Sequence, residues 1–270
     1  MASKEFEIVD VTMQNVNDLG MFCKKTKRNT AGYQNKLKWL DKRFKEGLKY
    51  KMLMVDEGKK DLVSRGFLEH IPGEFAWRGV DAKGFSFIHC IWVVGRHKKK
   101  GHGTRLLRQC LDEAKGSKGV AVLTSKKGHW LPKPSLFLKN GFVKADAALS
   151  NFELYVYKFS AKTPDPKINP ISEKKLNKYG PGVTVLTTDQ CPYLPDAVDI
   201  FENATKELGL SFQVLKLRTS KQAQNNGVNP NGTFAVLFDG QVVTYKYEKP
   251  DKFKSMINEL MKSNKPIFNN

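Results

Sequence analysis

A strand followed by a basic glycine turn and an amphipathic helix is the feature that most restricts how this chain can fold. Residues 88–94 are a run of β-branched and aromatic residues typical of a buried strand. After Gly103 the apolar positions recur on one helical face: Leu106, Leu107, Cys110, Leu111 and Ala114. The first N–H groups of a helix lack internal partners and the helix dipole is positive there, so the turn can hold an anion such as pyrophosphate.

The turn itself resembles the acyl-CoA signature of the GNAT acetyltransferase superfamily, in which Arg or Gln precedes x-x-Gly-x-Gly/Ala after a strand. Here the signature reads Lys98-Lys99-Lys100-Gly101-His102-Gly103, with lysine in the place of Arg or Gln. The later segment 134–142, which ends in Gly-Phe, resembles a second motif of that family. A Walker phosphate loop is excluded, because Gly95 and Gly101 enclose five residues and no Gly-Lys-Ser/Thr follows.

This resemblance implies the GNAT acyl-CoA N-acyltransferase fold, an α/β (α+β) domain with a mixed sheet. It also implies an enzyme that transfers an acetyl group from acetyl-CoA to an amine by direct attack on the thioester. A backbone N–H near Val93 or Val94 would polarise the thioester carbonyl, and the backbone of the turn would hold the pyrophosphate. The predicted cofactor-binding residues are Val93, Val94, Lys98, Lys99, Lys100, Gly101, His102, Gly103, Thr104 and Arg105.

Acetyl transfer to an amine needs a base near pH 7, and His89 is the candidate. It lies on the signature strand, where some GNAT enzymes place a catalytic histidine, and strand alternation puts it on one face with Phe87, Ile91 and Val93. A satisfied core histidine is the alternative. The competing bases are Glu69, His70 and Glu74.

The general acid is missing from its usual place. Many family members have a tyrosine four residues before the glycine of the Gly-Phe ending, and this chain has Phe137 there. The groups that could protonate the leaving thiolate instead are water, Cys90, Tyr155 and Tyr157. The same loss leaves open a domain that binds acyl-CoA without efficient turnover.

The loop that ends at Asp81 is the predicted acceptor-binding segment. It mixes charged and aromatic residues with chain breakers, and the candidate contacts are Glu74, Trp77, Arg78 and Asp81. An ordinary surface loop is the alternative. The acceptor would be a small-molecule or peptide amine.

A second domain is predicted after a proline-rich linker, giving boundaries of 1–160, 161–178 and 179–270. Its order β-α-β-α-β-β-α, with Cys191-Pro192 opening the first helix, resembles a thioredoxin or glutaredoxin fold. Leu194 replaces the resolving cysteine and Gly232 stands where that fold has a cis-proline. The whole pattern resembles the YoaP-like two-domain acetyltransferases. Cys191 could be a nucleophilic thiol at a helix N-terminus. The alternative is that the domain serves substrate shaping or dimerisation, which would give a homodimer.

The net charge of +19 with a pI near 9.7 admits nucleic acid, an acidic cofactor or substrate, or simply a basic surface. Nucleic acid is not favoured, because no aromatic-lined module or recognised helix motif accompanies the charge. The alternatives to an enzyme are an acyl-CoA-sensing or nucleic-acid-binding protein and a thiol-reactive protein centred on Cys191.

The composition also bounds the location and the cofactors. No apolar run approaches the ~18 residues needed to span a bilayer and the N-terminus has no apolar signal region, so we expect a cytoplasmic protein with no membrane segment. The four cysteines form no close-spaced pair, which predicts neither a metal site nor a disulfide framework.

Overall fold

The computed structural model describes residues 5–126, 130–149 and 151–263, except for the side chain of residue 173. Within these ranges the chain forms two compact units. The first contains the described residues of Met1–Arg28, Leu37–Ala76 and Asp81–Lys167. The second contains those of Asn29–Lys36, Trp77–Val80 and Ile168–Asn270.

Strands and helices are interspersed along the whole described chain. The strands are β1 (Phe6–Val11), β2 (Lys49–Val55), β3 (Val63–Pro72), β4 (Val80–Asp81), β5 (Ser86–Val93), β6 (Gly119–Ser125), β7 (Val143–Ala148), β8 (Phe152–Lys158), β9 (Lys167–Ile168), β10 (Val183–Thr187), β11 (Phe212–Lys216), β12 (Ala235–Phe238) and β13 (Gln241–Thr244). The α-helices are α1 (Val16–Leu19), α2 (Ala31–Phe44), α3 (His102–Glu113), α4 (Ser135–Leu138), α5 (Glu173–Leu176), α6 (Leu194–Glu207), α7 (Ser220–Asn225) and α8 (Pro250–Ser263). Single 3₁₀ turns cover Gly73–Phe75, Gly95–His97 and Asn177–Tyr179.

The first unit is built on the mixed sheet that the sequence predicts. Its seven strands lie in the order β1-β2-β3-β5-β6-β8-β7. β5 and β6 are parallel, and the other neighbouring strands are antiparallel. The apolar face of α3 covers one face of the sheet, where Leu106, Leu107 and Cys110 are fully buried. This packing fixes the N-terminus of α3 close to the end of β5.

A β-bulge at His89 changes which side chains share a face of β5. In the pairing with β3, Glu69 lies opposite Cys90 and the next residue, His70, lies opposite Ile88, so His89 is the extra residue. As a result Ile88 and Ile91 both pack into the core under α3, while the ring of His89 lies against Phe87. The prediction that His89 shares a face with Ile91 and Val93 is therefore wrong, because the bulge resets the alternation.

The two parallel strands diverge at the end that carries the predicted site. Over the described residues, β5 pairs with β6 only from Ser86–Val120 to Ile88–Val122, whereas β5 continues to Val93. Backbone N–H and C=O groups along this part of β5 need partners other than β6. The divergence therefore leaves room for an extended ligand to bind to the edge of β5.

The second unit has a four-stranded sheet in the order β11-β10-β12-β13. β10 and β11 are parallel, and β12 runs antiparallel to both β10 and β13. From β10 onward the elements follow the predicted order β-α-β-α-β-β-α. α6 and α8 pack together through Phe201 and Phe253, whose ring centroids lie 4.7 Å apart. Leu176, which lies within the predicted linker, and Tyr179, the predicted start of the second domain, are both buried in the core of this unit.

A short segment from the N-terminal half also belongs to the second unit, which the predicted boundaries do not anticipate. The N–H of Gly79 donates to the carbonyl of Pro230 at 2.9 Å, and the N–H of Asn169 donates to the carbonyl of Gly79 at 2.9 Å. Gly232 has φ +72°, and a Cβ there would lie 2.7 Å from Cα of Arg78. Only glycine permits this approach of the two backbones.

Candidate active site

The turn between β5 and α3 takes an unusual backbone path. Gly95, Lys99 and Gly101 all have left-handed φ angles, of 58°, 62° and 78°, and a lysine in this region is strained. Gly101 is the N-cap of α3 and supplies no capping side chain. The N–H of Arg105 closes the first turn on the carbonyl of Gly101, so the amides of residues 102–104 have no partner within the helix. They are therefore available to an anion.

The start of α3 borders a cavity of about 270 Å³ at the divergent end of β5. Six of the ten predicted cofactor residues line it: Val93, Lys98, Lys99, Gly101, Gly103 and Thr104. The sequence reasoning missed the other four lining residues, which are Ile91, Trp92, His97 and Leu136. Three of these lie within or next to the signature, and a Cβ on Gly103 would be 3.4 Å from the Leu136 side chain. The glycine therefore brings α3 close to α4.

Val93 ends β5 and Val94 follows it, and the N–H of one of these two predicted donors already has a partner. The N–H of Val94 donates to the carbonyl of Arg65 on β3 at 3.0 Å. Successive N–H groups along a strand point to opposite edges, so the N–H of Val93 lies on the edge that faces β6. Val93 is thus the residue whose amide can meet a ligand between the strands.

His102 and Arg105 fasten the turn to β1. His102 is 2% exposed and packs edge-on against Phe6, with ring centroids 5.6 Å apart. A guanidinium N–H of Arg105 donates to Nδ1 of His102 at 3.2 Å, and the guanidinium lies 4.3 Å from the centre of the Phe6 ring. Burial lowers the pKa of His102, and the charge of Arg105 lowers it further. Both side chains support the turn, so a contact with a ligand would come from the backbone.

The bulge brings His89 and Glu69 together. Nδ1 of His89 lies 3.1 Å from Oε1 of Glu69, and both residues are 1% exposed. The imidazole also lies 6.0 Å from the ring of Trp39 on α2. An ionised carboxylate only accepts hydrogen bonds, so in a neutral His89 beside ionised Glu69 the proton is on Nδ1 and the lone pair is on Nε2. This is the tautomer that a general base requires.

The competing bases have structural contacts. Nδ1 of His70 lies 2.8 Å from Oγ of Ser86, and its Nε2 lies 3.4 Å from a carboxylate oxygen of Glu113. Glu74 accepts a hydrogen bond from the N–H of Gly84 at 3.0 Å and so closes a turn. The assignment of His89 as the base, with Glu69 beside it, stays a prediction.

The structure also separates the candidate acids. Phe137 is fully buried against Phe142. The hydroxyl of Tyr155 donates to Oε2 of Glu153 at 3.1 Å, and burial together with this contact raises the pKa of Tyr155. Tyr157 packs against Phe142. The proton of Tyr155 is therefore engaged by a carboxylate, while Tyr157, the partly exposed Cys90 and water stay candidates for the acid.

The four predicted acceptor contacts are not alike. Glu74 and Asp81 are exposed, and Asp81 accepts from the N–H of Lys83 at 3.3 Å. Trp77 and Arg78 are 1% and 3% exposed. The alternative of an ordinary surface loop does not fit these two residues, because both are buried.

Cys191 lies just before α6 and is partly exposed. Its carbonyl accepts from the N–H of Leu194 at 3.2 Å, and the Leu194 side chain is 1% exposed. A leucine in the core thus occupies the position of a resolving cysteine.

Comparison with known proteins bears on the first unit. A sequence profile of the Acetyltransferase (GNAT) family matches residues 21–129, which include β5, the basic turn and α3. The chain contains a GNAT acetyltransferase domain. It is also 29% identical over 257 residues to the uncharacterized N-acetyltransferase YoaP of Bacillus subtilis (strain 168), across 93% of this chain and 98% of that protein. The protein is accordingly an acetyltransferase.

Solved structures similar to this acetyltransferase cover about three fifths of its chain and share little sequence. The acetyltransferase yncA of Salmonella typhimurium, solved with its cofactor acetyl-CoA, is 16% identical with a TM-score of 0.42, over 60% of this chain and 99% of that chain. A GNAT family acetyltransferase from Brucella melitensis in complex with acetyl-CoA is 14% identical with a TM-score of 0.36, over 59% and 92%.

Two kinds of feature are absent from residues 5–126, 130–149 and 151–263, namely a membrane-spanning helix and a metal-binding cluster. None of the helices within these ranges is long and apolar enough to cross a membrane. Nor do the described His, Cys, Asp and Glu side chains form a group of three or more that could hold a metal ion.

Proposed function

We propose that this acetyltransferase uses acetyl-CoA and transfers the acetyl group to an amine of a small-molecule or peptide acceptor. The observation that carries the proposal is the cavity at the start of α3, where an uncapped helix N-terminus, a lysine-rich turn and a divergent strand edge meet. An activated acyl group on a long, polyanionic carrier matches all three features.

The residues of the cavity suit the parts of acetyl-CoA in order. The amides at the start of α3 would hold the pyrophosphate, with Lys98, Lys99 and Lys100 supplying positive charge around it. The N–H of Val93 would donate to the pantetheine arm or to the thioester carbonyl beside it. Acetyl-CoA supplies the activated acetyl group, and the protein binds and orients it.

His89 is the proposed base. Its Nε2 would take the proton from the acceptor amine, directly or through water, while Glu69 holds the ring through Nδ1 and stabilises the imidazolium that forms. Both side chains come from the strands of the rigid sheet, which fixes their geometry. Acceptor recognition by Glu74, Trp77, Arg78 and Asp81 stays a prediction.

For the second unit we propose a thioredoxin-like fold. The proposal is supported by the parallel pair β10–β11 flanked by antiparallel β12 and β13, and by Cys191-Pro192 ahead of α6. Cys191 would be its reactive group if the unit has a chemical role. Homodimer formation and a cytoplasmic location stay predictions.

The test is acetyl transfer by the purified protein to a panel of amines, with thiol release measured by absorbance and products by mass spectrometry. We expect His89→Gln to lower kcat by about 10²–10⁴ while leaving acetyl-CoA affinity unchanged. His70→Gln is the matched control, since it removes a buried histidine from the neighbouring strand. Equal activity of the two variants, or no acetylated product from any amine, would contradict the proposal.

A further inference from the structure

We propose that Glu57, in the turn between β2 and β3, positions the anion-binding turn through His97 and thereby sets the affinity for the phosphate-bearing part of acetyl-CoA. The inference rests on the proposed function, because the cofactor defines the site. The polar contacts identified for Glu57 are with Arg65, Arg96 and His97, and of these three only His97 lines the cavity. Glu57 is therefore a positioning residue rather than a catalytic one.

The burial and contacts of Glu57 are unusual for a residue in a hairpin turn. Its side chain is only 4% exposed. Two guanidinium nitrogens of Arg65 donate to its two oxygens, each at 2.7 Å. Nε2 of His97 lies 2.6 Å from Oε1, and a guanidinium nitrogen of Arg96 lies 3.2 Å from the same oxygen. One carboxylate thus links Arg65 on β3 to two consecutive residues of the 3₁₀ turn, the exposed Arg96 and the buried His97.

The contacts also determine how the His97 ring is held. The hydrogen bonds from Arg65, and next the one from His97, keep the pKa of Glu57 well below its usual range. The ionised carboxylate accepts only, so Nε2 of His97 donates to it. Nδ1 of His97 is buried with no hydrogen-bond partner among the described residues, and an N–H there would lack an acceptor. Glu57 therefore fixes both the orientation and the tautomer of His97.

His97 connects this cluster to the cofactor cavity. It is 5% exposed and lines the cavity beside Lys98 and Lys99. Its ring centroid lies 6.1 Å from that of His102, the first residue of α3. The N–H of Lys98 closes the 3₁₀ turn on the carbonyl of Gly95 at 3.2 Å. A shift of the His97 ring would therefore move the backbone that leads into the helix N-terminus.

Loss of the Glu57 charge has two opposing effects, and their signs distinguish positioning from simple electrostatics. Removing a negative charge makes the cavity more positive, which by itself strengthens anion binding. Removing the anchor leaves Arg65, Arg96 and His97 without their common acceptor and loosens the turn, which weakens anion binding. The structure favours the second effect, because the charge of Glu57 is already neutralised by a bidentate arginine.

The experiment compares acetyl-CoA with S-acetylpantetheine, which lacks the pyrophosphate and the nucleotide, by calorimetric or NMR titration of the full chain. We expect Glu57→Gln to weaken acetyl-CoA by about tenfold and to leave S-acetylpantetheine within about twofold. Asp61→Asn, which removes an exposed carboxylate from the same hairpin turn, should leave both affinities within about twofold.

A double-mutant cycle with His97→Phe, which keeps a ring in the cavity wall, gives a second test. If Glu57 acts through His97, the effects of the two substitutions on acetyl-CoA affinity are not additive. Additive effects, unchanged or tighter acetyl-CoA binding by Glu57→Gln, or equal weakening of both ligands would overturn the inference. Wild-type protein that binds neither ligand would overturn the proposed function as well, so the two failures are distinguishable.

Discussion

Glu113, near the end of α3, forms part of a buried charge network that should dominate the acid stability of the first unit. The ammonium of Lys51, 2% exposed, contacts the carboxylates of both Asp10 and Glu113. His70 lies 3.4 Å from the other carboxylate oxygen of Glu113. Burial raises the pKa of Glu113, but the contacts with His70 and Lys51 outweigh it and bring the pKa from 4.5 to about 2.

The size and sign of the effect follow from proton linkage. Glu113 is 28% exposed at its side chain, so solvent screens it only in part. A carboxyl whose pKa falls from 4.5 to about 2 would contribute about 3 kcal/mol to the free energy of unfolding at pH 7 if it were fully shielded, and solvent screening at this exposed residue reduces that to about 2 kcal/mol. Because the folded-state pKa is depressed, the contribution is complete above the unfolded-state pKa and is lost as the pH falls through the folded-state value. Near pH 3 about 1 kcal/mol remains.

Equilibrium urea unfolding of Glu113→Gln, followed by circular dichroism at pH 7 and pH 3, measures this contribution. We expect a loss of about 2 kcal/mol at pH 7 that shrinks to about 1 kcal/mol at pH 3. Asp112→Asn is the control. The carboxylate of Asp112 precedes Glu113 in sequence and its side chain is 65% exposed, so its loss should change the free energy of unfolding by less than about 0.5 kcal/mol. An equal loss at both pH values would refute the linkage argument and leave only a packing defect.

Three other outcomes are expected. Trp92 is 49% exposed and lines the cofactor cavity. Titration with acetyl-CoA should therefore change the tryptophan emission of the wild type and not that of Trp92→Phe. An equal change in both proteins would place the ligand elsewhere. Trp77 is 1% exposed in the full chain, and a chain that ends at Lys167 should expose it to solvent, which would red-shift its emission and lower the Tm. An unshifted spectrum would show that the burial of Trp77 does not need residues 168–270. Cys191→Ser should keep acetyl transfer within about twofold, because the proposed chemistry lies in the first unit; loss of activity would assign the thiol a part in it.

The parts of this molecule that sequence reasoning predicts are those with local signals. The strand, the basic turn and α3 follow from β-branched runs, glycine positions and a helical apolar face within 27 consecutive residues. Six predicted cofactor residues meet at one cavity for the same reason. The mixed sheet was an expectation from the family resemblance and not from these periodicities.

The parts that escaped prediction depend on partners distant in sequence. The bulge at His89 exists only in the pairing with β3, 20 residues earlier. The contact between Glu57 and His97 joins residues 40 apart, and nothing in either segment marks it. Trp77 is buried because its segment meets a glycine loop more than 150 residues later. Periodicity within a segment carries no information about such pairings.

The most direct test of the account is calorimetric titration of acetyl-CoA into the wild type, Gly101→Gln and Gly101→Glu. Gly101 has φ +78° and a Cβ there meets nothing within 4 Å, so the two variants share the same backbone strain and differ in charge. At ~6 Å from one phosphate charge and an effective dielectric constant of about 40, the added charge costs about 1.4 kcal/mol, or tenfold. We predict wild-type binding in about the micromolar range and about tenfold weaker binding by the Glu variant than by the Gln variant. No binding by the wild type, or identical affinities for all three proteins, would contradict an acetyl-CoA site at the start of α3.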